Sequence, residues 1–158
     1  MSSFFGFGKR KAPTGTSSDE PKGRIGEYYE NELPVIMKFS IRLPDIAVQT
    51  HFTFLTVISW KYDGTSNNGM PPREVNNKMI ALEDAIETIQ SKSSEFVHAY
   101  SRTGNNLKEL VYYSKGLSEF MPMLNKGLES HEPYPIEINF YEDSDWSELK
   151  KLLQDFRE

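Results

Sequence analysis

The chain has 158 residues, of which 37% are hydrophobic, with a net charge of −5 and no cysteine. That is the length of one domain with enough apolar side chains for a core, and the missing thiols exclude disulfides, thiolate catalysis and zinc–thiolate centres. No apolar run approaches the roughly 20 residues that cross a bilayer as a helix, and the composition suits a bacterial, cytoplasmic protein.

Residues 1–24 read as a disordered tail, rich in Gly, Ser, Thr, Pro and Lys and without periodicity. Phe4, Phe5 and Phe7 precede Lys9-Arg10-Lys11, so the apolar run is too short, and its charge on the wrong side, for a secretory signal. A weak contact with a membrane surface is the one membrane role this segment allows. Lys9, Arg10, Lys11, Lys22 and Arg24 against Asp19 and Glu20 leave the tail at +3, hence the remainder at −8 within the total of −5. An acidic body is a poor grip for a phosphate backbone.

Residues 25–158 read as a single domain. Alternating Val35, Met37, Phe39 and Ile41 predict a strand over 35–42, stopped by Leu43-Pro44-Asp45. A longer strand over 52–62 is apolar on both faces, as a central strand covered on both sides should be. The loop 63–72 is dense in turn formers, and Pro71-Pro72 suits a helix entrance. Val75, Met79, Leu82, Ile86 and Ile89 then mark an amphipathic helix of about five turns. Glu83, Asp84 and Glu87 fall off that stripe, on a solvated face.

Strands over 96–102 and 107–113 flank Thr103-Gly104-Asn105-Asn106, a hairpin signal because Gly and Asn tolerate positive φ. A helix follows from Leu117 or Ser118 to Leu128, with Pro122 limiting its start and Ser118 as the N-cap. Ile136, Ile138 and Phe140 alternate as the last strand, and Trp146, Leu149, Leu152, Leu153 and Phe156 form the stripe of a closing helix. The order from Phe52 onward is βαββαβ. The predicted fold is therefore α+β, a ferredoxin-like split βαβ antiparallel sheet with an extra N-terminal strand and a C-terminal helix.

Four stretches resemble the bacterial domain of unknown function 695 family: Gly69-Met70-Pro71, Leu82-Glu83-Asp84, Thr103-Gly104-Asn105 leading to Glu109 and Tyr112-Tyr113, and Tyr141-Glu142-Asp143-Ser144-Asp145-Trp146. The last has Ser144 where the family commonly has proline. The resemblance covers about residues 35–156 and carries no established activity. A more distant likeness to the regulator-B type of domain, which inhibits ribonuclease E, implies by fold analogy a domain that binds a protein.

No nucleophile elbow, P-loop or paired-glycine fingerprint is present, and His51, His98 and His131 make no close-spaced ligand pair. The carboxylates after the last strand could hold a divalent cation through Asp143, Asp145 and Glu148. The simpler reading makes Asp145 the cap of the closing helix and Glu148 its capping-box partner. If Val97 and Ala99 face the two βαβ helices, the opposite sheet face carries Phe54, Trp60, Phe96, His98, Tyr100, Arg102, Tyr112 and Tyr141. The stripe of the closing helix must bury itself somewhere, and the favoured reading seats it on this face and makes these residues core; if the face is accessible, Trp60, Tyr100, Arg102 and Tyr112 are the contacts for a partner. The leading expectation is a non-enzymatic cytoplasmic module, without cofactor, that binds another protein such as a toxin or a regulated enzyme. Single-stranded RNA stacked on the same aromatics is the alternative; a carboxylate- or metal-dependent enzyme at the acidic corner is the third.

Overall fold

The computed structural model describes residues 10–14 and 23–156. Strand β1 spans Arg10–Thr14, β2 Gly23–Glu30 and β3 Leu33–Ser40. A short helix, α1 (Ile46–His51), leads to β4 (Phe54–Lys61). Helix α2 (Arg73–Ser93), strands β5 (Phe96–Gly104) and β6 (Leu107–Ser114), helix α3 (Leu117–Gly127), strand β7 (Ile136–Glu142) and helix α4 (Ser147–Asp155) complete the order. The described strands form one antiparallel sheet in the order β1-β2-β3-β5-β6-β4-β7.

Within it, β4-α2-β5 and β6-α3-β7 each join two strands separated by a third, which is the ferredoxin-like arrangement. α2 and α3 pack on one face, where Met79, Leu82, Ile86, Phe120 and Leu124 meet Ile58, Phe96, Leu110 and Tyr112. α4 packs on the other face, where Trp146, Leu149, Leu152 and Phe156 meet Leu55, Val57, Tyr100, Val111 and Tyr113. The closing helix makes a third layer, so both sides of β4 are core.

Several boundaries differ from the sequence expectation. Arg10–Thr14 pairs with β2, and Gly23 and Arg24 lie within β2, so ordered strand enters the segment read as tail. Phe4, Phe5, Phe7 and residues 15–22 lie outside the described residues. The strand expected at 35–42 starts at Leu33, because Asn31 and Glu32, both at positive φ, turn β2 into β3 as a tight hairpin. A glutamate in that conformation gives no turn signal. α1 has only six residues, too few for a periodic stripe. Gly116 with φ 119°, not Ser118, precedes α3, and Leu117 is exposed rather than on its buried stripe.

The largest departure is a bulge in β5. His98 pairs with Tyr112 and Tyr100 with Val111, so Ala99 is an extra residue in the ladder. One inserted residue exchanges the faces of everything after it. Phe96 and His98 therefore face α2, whereas Tyr100 and Arg102 face the α4 side, and Ser101 and Thr103 return to the α2 side.

Candidate functional site

The bulge dissolves the aromatic face expected from the sequence. Trp60, Tyr100, Arg102 and Tyr112 are only 4, 0, 1 and 5% exposed and lie on two different faces. Trp60 packs on Tyr134, and Tyr112 edge-on to Phe96 and His98. Tyr100 lies in the α4 core. Arg102 donates to the carbonyls of Gly104 and Leu107 at 3.2 and 3.0 Å and pairs with Glu30 at 3.2 Å, tying the β5–β6 turn to β2. None of the four offers a ring or guanidinium to a partner's surface; each is a structural residue.

The acidic corner is also committed to structure. Asp143 Oδ1 accepts the Ser147 amide and hydroxyl at 3.0 and 2.6 Å, and Oδ2 accepts the Tyr113 hydroxyl at 2.7 Å and the Glu148 amide at 3.2 Å. Burial opposes charge on Asp143, but these hydrogen bonds outweigh it and hold the carboxyl below its ordinary range. Asp143 thus caps α4, in place of the expected Asp145–Glu148 box. Asp145 is exposed, and the backbone of Trp146 turns left-handed at φ 56°. That turn lets the indole N–H reach the carbonyls of Phe52 and Gln49 at 2.7 and 3.1 Å. Among the described residues no three His, Cys, Asp or Glu side chains gather as a metal site.

What stays open is a trough along one flank of α2. Among the described residues, the core on that face joins α2 to β4, β5 and β6 and includes no residue of β2 or β3, which are bare there. Asn76, Ile80, Glu83, Glu87 and Gln90 recur at steps of four and three, so they share the flank that overlooks the bare strands. Two cavities follow it in tandem. One, of about 260 Å³, is walled by Ile36, Lys38, Met70, Pro71, Asn76, Thr103 and Lys108. The other, of about 220 Å³, is walled by Glu83, Glu87, Gln90, His98 and Tyr112.

The chemistry concentrates at Lys108. It is 6% exposed, donates to Thr103 Oγ1 at 3.0 Å and stands 3.6 Å from a Glu83 carboxylate oxygen. Burial lowers its pKa; Glu83 works against that shift and Lys38 adds to it. Burial, aided by Lys38, also pushes His98 down to about 4, which keeps it neutral at neutral pH. The trough is thus polarised, cationic at Lys38 and Lys108 and acidic at Glu83 and Glu87. A larger open cleft of about 690 Å³ lies on the other flank of α2, beside α3. No buried titratable side chain lines that cleft, and the Nδ1 of His131 on its rim is engaged by the Tyr134 hydroxyl at 2.7 Å.

Residues 29–153 match the model of a family described as a family of unknown function (DUF695). The chain belongs to that family. No curated protein and no solved structure matches it. The DUF695 match begins in β2 and ends in α4, so it contains both the trough and the α4 layer, while β1 falls outside it.

The stretches that carry the DUF695 resemblance divide between these two places. Asp143, Trp146 and Tyr113 lock α4. Met70, Pro71, Glu83 and Thr103 border the trough. Gly69, at φ 82°, accepts the Tyr62 hydroxyl at 2.6 Å and the Asn106 amide at 3.0 Å, which clamps the loop before α2 onto the β5–β6 turn. A Cβ there would stand 3.1 Å from the Asn105 nitrogen, so glycine is what lets Met70 and Pro71 form the end wall. Sequence reasoning missed Lys38, Lys108 and Ile80 and placed Glu83 on a solvated face. One signal was available. Lys108 shares a strand face with Leu110 and Tyr112, a charge where the period-2 pattern demands an apolar residue.

Proposed function

We propose that the protein is a non-enzymatic, bacterial cytoplasmic module that binds another protein, and that the trough beside α2 receives an extended segment of that partner. A toxin or a regulated enzyme is the kind of partner in view. The observation that supports this reading is the one-sided cover of the sheet. Ile80, on the α2 flank of Asn76 and Glu83, is 45% exposed, and Tyr29, on the sheet face that Ile36 and Lys38 share, is 37% exposed. Apolar side chains framing a few fixed polar groups are the composition of a docking site rather than of a solvated surface.

Site-specific photo-crosslinking tests it. A crosslinker at Ile80 is expected to yield one discrete adduct in cells, reduced by Lys38→Glu. The same group at Leu117, exposed on the far helix α3, yields none. Equal, diffuse labelling from both positions would rule the trough out as the docking surface.

A further inference from the structure

The lysine end of the trough is under-satisfied for what it buries. A buried ammonium is stable only when its donors find acceptors. Lys108 has three N–H groups, but among the described residues it finds one short bond, to Thr103, and one ion pair at 3.6 Å, to Glu83. Lys38 lines the same cavity, and like charges placed together raise the cost further. Thr103 and Asn76 add a hydroxyl and an amide to the same walls. Ile36, Met70 and Pro71 close the rest with apolar surface, where charge–charge attraction is stronger than in water.

We infer that this cavity is a binding site for a single oxyanion, held between Lys38 and Lys108 with Thr103 and Asn76 as further hydrogen-bond partners. In the docking reading, on which only the source of the anion rests, the group is a carboxylate of the partner segment or a phosphate carried on it. The oxyanion supplies the acceptors Lys108 lacks and neutralises the repulsion between the lysines. Glu83, which lines the second cavity and not this one, stands 3.6 Å from the same ammonium.

Amide-detected NMR titration of the full chain tests the site without any partner, using inorganic phosphate and, separately, acetate at constant ionic strength. Saturable shifts centred on Thr103, Lys108 and Met70 are expected with at least one of the two. Saturation by acetate alone assigns a carboxylate, and saturation by phosphate alone assigns a phosphorylated segment. Lys38→Gln, at an exposed side chain, is expected to weaken binding about tenfold, the loss of one charge-assisted hydrogen bond. Lys108→Met is expected to abolish it; Lys38→Gln alone decides if that variant does not fold. Shifts that stay linear, scatter over the surface, or persist unchanged in Lys38→Gln would overturn the site. Saturable anion binding without an Ile80 adduct would leave the site standing and remove the docking reading; an adduct without anion binding would do the reverse.

Discussion

The Tyr113 hydroxyl donates to Asp143 Oδ2 at 2.7 Å, and the same tyrosine ring stacks on Trp146 with centroids 3.8 Å apart and planes 9° from parallel. One β6 side chain therefore holds both the cap and the anchor of α4. Removing the hydroxyl with Tyr113→Phe leaves a half-buried carboxylate oxygen with one donor fewer. The expected loss is about 1–3 kcal/mol of stability. Asp143→Ala also removes the cap and should cost at least as much. Urea unfolding followed by tryptophan fluorescence measures both, with a lower midpoint and an unchanged slope as the expected result.

His98 makes stability fall on mild acidification. Its pKa is lowered from 6.5 to about 4 in the folded chain. Between those values the unfolded chain takes up a proton that the folded one refuses, so its contribution is complete above pH 6.5 and lost as pH drops toward 4. In His98→Gln the slope of stability against pH across this window should flatten. NMR titration of the wild-type imidazole should show no protonation near pH 6.

Glu109 works in the opposite sense. Its Oε1 meets no hydrogen-bond donor among the described residues, and burial raises its pKa while Arg102 opposes the rise. The ionised form is thus disfavoured in the folded chain at neutral pH. Protonation on acidification through the raised pKa recovers stability. Glu109→Gln should be about 1 kcal/mol more stable than wild type at neutral pH, because Arg102 keeps Glu30 and two carbonyls. The advantage should close as pH falls, measured by denaturation at several pH values.

Pro122 sits inside α3, beyond the first turn, where it cannot donate to the Ser118 carbonyl. Its side chain is exposed, so Pro122→Ala removes no core contact. The variant should gain about 1 kcal/mol and raise Tm by a few degrees in calorimetry.

The α2 stripe and the Asn105-Asn106 turn were legible because their causes are local. Met79, Leu82 and Ile86 are buried as their spacing predicts, and both asparagines take positive φ. That the four nominated contacts are core was the favoured reading of the sequence, but which of them lies under which helix was not legible, for two reasons. The bulge at Ala99 leaves no mark in a period-2 pattern yet reverses Tyr100 and Arg102. The seat of α4 depends on Tyr113 and the carbonyls of Gln49 and Phe52, which are remote in sequence. Lys108 was overlooked because a charge on a strand is ordinarily solvated. Here it lies 6% exposed between Thr103 of β5 and Glu83 of α2.

The sequence by itself determined the α+β class, the βαββαβ order and the amphipathic helices, because hydrophobic period and turn chemistry act over a few residues, and four motif stretches carried the family resemblance. The tertiary structure decided which faces those elements present. It turned the aromatic sheet residues into core and the acidic corner into the cap of α4. It also brought Lys38 of β3, Glu83 of α2 and Lys108 of β6 to one trough. Those outcomes depend on register and on long-range packing, where a single inserted residue or one docked helix exchanges inside for outside.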